Sequence, residues 1–270
     1  MKNISGWNAV VTGASSGIGK AIAEALAKAG CQVALIARPS ERLEDAAESI
    51  RQSGGTAQAF GCDLGDTDQL LATLPNIEAS LGPIDILVNN VGSGTFKPMH
   101  HMSAEEATAP VQLPFKAAIA ACQALAPKMR ARKRGHIVNL TSPAGYFPLP
   151  YMVPYTAARY AMVGMSLALY EELVREGVGV SLICPAQVNT GYFEREDADL
   201  DWYPKISKMF PVLEPQDVAD KVILAIRKNK REMIFPFVLW AFIRGFQKAP
   251  GLSLAVLKAL GLWYPSKRLS

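Results

Sequence analysis

The sequence predicts a doubly wound α/β fold, and three observations carry that prediction. Short apolar runs alternate with segments whose apolar residues recur at helical spacing, the connections between them are brief, and a glycine-rich turn separates the first run from the first helical segment. A strand, a helix and a second strand of the same sheet connect right-handedly, so repeated alternation builds a parallel sheet covered on both faces. The expected architecture is a Rossmann fold with a parallel seven-stranded sheet and a helical C-terminal extension. With 270 residues, half of them hydrophobic, the chain buries a large core and needs neither disulfide nor metal to hold it.

The first strand is the apolar run over 9–12. After the turn, Ile18, Ile22 and Leu26 repeat at helical spacing as far as Ala29, and Gly30 is the stop. A strand over 33–37 leads to a helix over 41–52, and a strand over 57–62 leads to a helix from Asp66. The run 84–89 precedes a long helix ending near Arg132. Next come a strand over 136–140, a helix over 153–176, a strand over 178–184, and a helix opened by Glu214 and Pro215 that ends near Lys228. The long irregular stretch is 189–210. Composition divides the chain into a dinucleotide-binding and catalytic domain, 1–232, and a hydrophobic, basic extension, 233–270, which either completes the same domain or faces a membrane or a partner.

The four cysteines, Cys31, Cys62, Cys122 and Cys184, are scattered without a CxxC pair and mostly lie in or beside apolar stretches, which reads as reduced core thiols in a cytoplasmic protein. The three histidines, His100, His101 and His136, lack the spacing a zinc site needs. An apolar run begins at once after Trp7, with no basic region, h-region and cleavage site before it, so secretion is not expected. The net charge of +4 is uneven: residues 227–270 hold nine Lys/Arg against one acid, Glu232.

The turn reads Thr12-Gly13-Ala14-Ser15-Ser16-Gly17-Ile18-Gly19. Glycines there permit unusual φ, close approach of a pyrophosphate and tight helix–strand packing, while the helix N-terminus supplies N–H donors and partial positive charge. A glycine-rich turn by itself is weak evidence. Its position, after the first strand and opening the first helix, is the context that dinucleotide binding requires.

Together with this turn, Cys62-Asp63-Leu64 after the third strand, Asn89-Asn90-Val91-Gly92 after the fourth, and Ser142 thirteen residues before Tyr155 fall in the order seen in one family. The chain resembles the classical short-chain dehydrogenase/reductase family over roughly residues 6–230. The resemblance implies that Gly13, Ser15, Ser16, Gly17, Ile18 and Gly19 seat the pyrophosphate and that Asp63 and Leu64 lie at the adenine. It further implies that Asn90 and Gly92 line the cofactor cleft and that Thr190 holds the nicotinamide carboxamide. Where the family usually has Pro-Gly, the chain has Pro185-Ala186, which adds a methyl on the nicotinamide side. NAD-specific members commonly end the second strand with an acid, but here it ends Ile36-Ala37-Arg38. A guanidinium suits a 2′-phosphate, so the expected cofactor is NADP(H).

By the same resemblance Ser142 hydrogen-bonds the substrate oxygen and Tyr155 is the general acid in reduction or base in oxidation. The family's YxxxK is here Tyr155-Thr-Ala-Ala-Arg159, and the asparagine of its proton relay, in a VNL context, is matched by Val111-Gln112-Leu113. Arginine supplies a positive field and can hydrogen-bond the nicotinamide ribose, so Tyr155 and Arg159 are also expected at the cofactor, but it does not readily release a proton. Three readings stay open. The site has a changed reprotonation route, or it has lost catalysis and kept nucleotide binding, or the helix is shifted in register so that Arg159 points elsewhere.

After Thr190, Tyr192, Phe193, Trp202, Tyr203, Met209 and Phe210 interleave with Glu194, Glu196, Asp197, Asp199 and Asp201. Such a segment reads either as an amphipathic flap over an apolar pocket or as ordinary helix packing. Two apolar runs follow Glu232, each shorter than the roughly 18–20 residues that span a bilayer. With Trp240, Trp263 and surplus cations, residues 233–264 suit peripheral docking at an anionic membrane surface, or else they cover the substrate cleft or a subunit contact.

These readings lead to an NADPH-dependent oxidoreductase reducing a carbonyl on a small hydrophobic, lipid-like substrate, or oxidising the corresponding alcohol. The rival is a non-catalytic NADP(H)-binding sensor or scaffold. Nucleic acid is not an expected partner, because the basic residues of the tail are interleaved with aliphatics rather than forming a face of their own. The resemblance implies a homo-dimer or homo-tetramer.

Overall fold

The computed structural model describes residues 2–94, 96–191 and 200–265. Strands β1 (Asn8–Thr12), β2 (Gln32–Ala37), β3 (Thr56–Gly61), β4 (Ile86–Asn89), β5 (Gly135–Leu140), β6 (Val178–Pro185) and β7 (Glu232–Phe235) form one sheet. All pairings are parallel, in the order β3-β2-β1-β4-β5-β6-β7. The doubly wound Rossmann sheet expected from the alternation is the one observed. Its seventh strand starts at Glu232 and runs into the segment that composition set apart at 233, so that segment's first residues are a sheet edge.

Helices α1 (Gly17–Lys28), α2 (Glu41–Gln52) and α7 (Pro215–Lys228) cover one face, and α3 (Thr67–Leu81), α5 (Ala117–Ala131) and α6 (Val153–Leu173) cover the other. Strand side chains alternate between two cores, as the pleat requires. Ala9 and Val11 pack with Ile22, Leu26, Val218 and Ile226, whereas Val10 packs with Leu70, Leu74, Cys122 and Leu125. All four cysteines are buried free thiols, and burial pushes Cys31 and Cys122 up to about 12.

The single long helix expected before Arg132 is three pieces: α4 (Ala104–Pro110), a π-helical turn (Val111–Lys116) and α5. Pro110 and Pro114 cause this, because neither has an N–H to donate and each ring crowds the preceding turn. The helix expected over 153–176 ends at Leu173 and tightens to a 3₁₀ turn, Val174–Glu176, before Gly177 reverses the chain at a φ of +81°. In the irregular stretch, 3₁₀ turns form at Leu200–Trp202 and Lys205–Met209. Tyr192, Phe193, Glu194, Glu196, Asp197 and Asp199, like Lys267 and Arg268, lie outside the described residues.

The extension continues as α8 (Phe237–Lys248) and α9 (Pro250–Ala259). Leu239, Ile243, Phe246, Leu257 and Trp263 from this extension close a third core over Phe147, Cys184, Ile206 and Phe210. Among the described residues no helix is long and apolar enough to cross a membrane.

One buried titratable group makes the fold pH-sensitive. His136 is fully buried on β5, its Nε2 is 2.8 Å from Ser181 Oγ, and Ser181 donates its own proton to the Lys230 carbonyl at 2.5 Å. Nε2 therefore carries the ring proton, and burial pushes the imidazole down to about 3. A depressed histidine contributes stability that is complete above its unfolded value near 6.5 and is lost as pH falls toward about 3. Urea unfolding at pH 7 and pH 5 is expected to show a loss of about 2 kcal/mol from this group. His136→Phe should flatten the difference, and an equal pH response in that variant would assign the effect elsewhere.

Candidate active site

The strands all run one way, so the residues that follow their C-terminal ends meet at one edge, and the sheet order reverses between β1 and β4. The glycine turn opens at that point. Gly13 and Gly17 hold φ of +66° and +56°, values a side chain disfavours. A Cβ on Gly19 would lie 2.2 Å from the Gly13 carbonyl oxygen, so α1 reaches the turn this closely only with glycine there. Ser16 stands at the N-cap without a side-chain bond, leaving the first-turn N–H groups at Gly17, Ile18 and Gly19 uncapped. Half-buried Ser15 precedes it. The positive end of a twelve-residue helix with uncapped N–H groups is a seat for an anion.

Asn90, expected along the cofactor cleft, also staples the turn to β4. Its Nδ2 donates to the carbonyls of Thr12 (2.9 Å) and Gly13 (3.3 Å), and its own N–H donates to Thr12 Oγ1 (3.0 Å). Thr12 Oγ1 donates in turn to the Val88 carbonyl at 3.2 Å.

Register aligns Thr12 with Ile36 and Ala37 with Gly61, so Arg38 and Asp63 stand on the same rim as the turn. Arg38 is exposed and has no ion-pair partner among the described residues. Asp63 is exposed, its Oδ1 accepting the Gly65 N–H at 2.9 Å, while Leu64 turns into the core. An uncapped helix end, a glycine cradle that a Cβ would fill and an unpaired guanidinium on the rim together fit a dinucleotide with a ribose phosphate.

Across the reversal point, β5 ends at Leu140, and two residues later Ser142 Oγ accepts the Ala144 N–H at 3.2 Å and so caps a 3₁₀ turn over Pro143–Gly145. Helix α6 packs directly on this turn. Thr141 Oγ1 donates to the Arg159 carbonyl at 3.2 Å, and a Cβ on Gly145 would lie 2.8 Å from that same oxygen. Tyr155 lies in the first turn of α6, the helix that packs on the Ser142 loop. Arg159 follows one turn later, its guanidinium carbon 4.8 Å from the Tyr155 ring centroid, so the register-shifted alternative does not hold.

Arg159 is buried, 6% exposed. Its Nη1 donates to the Leu140 carbonyl at 3.3 Å, and its Nε is buried without a partner. A Cβ on Gly92 would meet Nη2 at 2.4 Å, so Gly92 leaves the room that the guanidinium occupies. Behind the site, Asn89 Nδ2 donates to Asn139 Oδ1 (2.8 Å) and Asn139 Nδ2 donates to Ser166 Oγ (2.9 Å), tying β4, β5 and α6 together.

Gln112 stands apart from these groups. It lies exposed in the π-helical turn, with no side-chain hydrogen bond among the described residues. Thr190 is half-buried just beyond a segment pinned by the Asn189 N–H to the Leu213 carbonyl and the Leu213 N–H to the Gln187 carbonyl, each 2.8 Å. An aromatic wall that the sequence reading named only in part surrounds Tyr155. Phe96 meets Tyr155 edge-to-face at 5.6 Å and Tyr203 at 5.7 Å, while Trp202 packs on Tyr151 at 4.8 Å. Burial, with Tyr155 nearby, pushes the Tyr203 phenol up. Phe96, Met152 and Gly145 carry no motif of their own. Only the proximity of Gly145 to Ser142 along the chain hinted at a role.

The family profile of short chain dehydrogenases matches residues 8–201. The chain is 30% identical over 258 residues to 17-beta-hydroxysteroid dehydrogenase 13 of Mus musculus, covering 93% of this chain and 81% of that one. Among solved structures, a metagenomic short-chain oxidoreductase in complex with NADP is 36% identical, with a TM-score of 0.74 over 87% of this chain and 98% of its own. A short chain dehydrogenase/reductase from Burkholderia phymatum in complex with NAD is 26% identical, with a TM-score of 0.83 over the whole of both chains.

The Gly92–Arg159 contact gives a test. Gly92→Ala should cost about 1–3 kcal/mol in urea unfolding, because the added methyl and the planar fork cannot share the space. Combining it with Arg159→Lys should recover part of that loss, as residues in contact are not additive. Strict additivity would show that the two do not meet.

Proposed function

The chain belongs to the short-chain dehydrogenase family, and from that premise we propose an NADPH-dependent oxidoreductase that reduces a carbonyl on a hydrophobic substrate or oxidises the corresponding alcohol. The observation that carries this reading is Tyr155 on the helix that packs against the Ser142 loop, with a buried guanidinium on its ring and aromatic side chains around it. The steroid enzyme among its relatives supports an apolar substrate. Structural neighbours bind NADP in one case and NAD in another, so the choice rests on Arg38, which stands where an acid would select NAD.

Bound at this edge, NADPH would supply a hydride to the substrate carbon. The chain's own groups do the rest. Gly17, Ile18 and Gly19 would offer N–H donors to the cofactor's pyrophosphate, and Arg38 would hold its 2′-phosphate. Ser142 Oγ donates a hydrogen bond to the carbonyl oxygen, and Tyr155 delivers its hydroxyl proton to that oxygen as charge develops there. Arg159 holds a fixed positive charge against the ring that loses the proton. The Phe96, Met152 and Trp202 cluster excludes water from the apolar side.

Reprotonation takes a different route from the family's relay, since Arg159 does not release a proton and Gln112 is exposed. A sensor or scaffold without catalysis would not need Arg159 kept on the Tyr155 ring. Assembly as a homo-dimer or homo-tetramer is part of the proposal, supported by Ile119, Val153 and Tyr160, which leave apolar side chains exposed on α5 and α6.

Two measurements test the reading. Tyr155→Phe should lower ketone reduction by roughly 10²–10⁴-fold while NADPH titration changes little, and full turnover in that variant would remove Tyr155 as the acid. Arg38→Ala should weaken NADPH binding by roughly ten- to a hundredfold and leave NADH unaffected, since a charge-assisted pair is worth about 1.5–3 kcal/mol. Equal affinities of the unaltered protein for the two cofactors would overturn the NADP(H) assignment.

A further inference from the structure

Nine of the fourteen large apolar side chains left exposed among the described residues lie between Met209 and Tyr264. The three most exposed are Phe237 at 76%, Leu252 at 68% and Leu260 at 64%. Helix α8 buries Leu239, Ile243 and Phe246 in the third core yet presents Phe237, Val238 and Trp240 outward, with Phe237 and Trp240 stacked at 5.5 Å. Along and just past α9, Leu252, Val256 and Leu260 recur every fourth residue on the face away from buried Leu257. A surface helix of a water-facing protein is polar on its outer side, and these are not.

Charge indicates what covers them. No acid occurs anywhere in residues 233–270, whereas Lys248 and Lys258 are exposed on α8 and α9. Between Asp201 and Glu214, residues 202–213 contain Lys205 and Lys208 and no acid, and they expose Met209 and Val212. Apolar side chains with tryptophan and tyrosine among them and lysines at the margin match an anionic lipid surface. The covering core places that surface next to the chemistry: Ile206 and Phe210 share it with α8 and with Tyr146 and Phe147, a few residues beyond Ser142.

We propose that α8, α9 and the segment 205–212 form one face that rests on an anionic lipid surface, so that an apolar substrate enters the site from the bilayer side. The docking stands on the exposed side chains and charges. The substrate route rests in addition on the hydrophobic-carbonyl reading above.

Full-length protein should co-sediment with vesicles of phosphatidylcholine containing phosphatidylglycerol. It should bind them less at high salt and bind pure phosphatidylcholine vesicles weakly. Trp240→Glu with Leu260→Glu should reduce vesicle binding at least about tenfold while circular dichroism and NADPH binding stay unchanged. Should that pair disturb folding, Lys248→Glu with Lys258→Glu changes surface charge alone and should weaken the phosphatidylglycerol dependence, and an unchanged dependence would overturn the docking. No vesicle binding at any ionic strength would overturn docking. So would size-exclusion data in which the Trp240/Leu260 variant separates a dimer into monomers while neither form binds vesicles, since a second copy would then cover the face. Vesicle binding by a protein that reduces no ketone would keep the docking and remove the enzymatic reading.

Discussion

Arg159 imposes the tightest constraint on the active end of the sheet, because a guanidinium that is 6% exposed and meets no carboxylate among the described residues must be accommodated by neutral groups. Desolvating an unpaired cation is costly, and each neighbour reflects that cost. The Leu140 carbonyl takes one N–H, the Tyr155 ring presents its negative face, and Gly92 yields the space a side chain would fill. The helix carrying Arg159 is in turn fixed on the Ser142 loop through Thr141 and the close approach at Gly145. Lysine would meet these demands with a flexible stem and a point charge. Arginine needs a planar slot, and that slot holds the tyrosine ring in place.

A second constraint operates on the other side of the reversal point. Thr12 and Asn90 tie the glycine turn to the end of β4 with five hydrogen bonds, so the anion seat at α1 and the Gly92 wall behind Arg159 hang from one junction. The glycine turn and the Tyr155–Arg159 pair are thus parts of one edge. The network from Asn89 through Asn139 to Ser166 extends that edge into α6 with its polar atoms paired inside the core.

The third core differs in character from the two that line the sheet. It joins the C-terminal helices, the segment after β6 and the residues following Ser142, with Phe147, Phe210, Phe242 and Phe246 in ring contact. An extension set apart by its composition therefore packs over the residues that follow Ser142. Its inner side is satisfied by packing, and its outer side keeps an apolar surface that water does not satisfy.

The sequence by itself determined what depends on short-range pattern. Strand–helix alternation specified the parallel sheet, and the glycines at 13, 17 and 19 specified the turn, because the positive φ of Gly13 and Gly17 and the approach of Gly19 to the Gly13 carbonyl are local. Tyr155 and Arg159, four residues apart, were bound to share a helix face. What the tertiary structure decided depends on groups distant in the chain. Pro110 and Pro114 break the helix around Gln112 locally, but that Gln112 ends on the exposed side of the resulting π turn while Pro114 is buried is a tertiary outcome. β7 is a strand only because β6 offers it an unpaired edge, which no run of four residues announces. Phe96 stands at Tyr155, and Gly92 at Arg159, by virtue of the sheet order alone, because a contact made across dozens of residues is set by packing and leaves no period in the sequence.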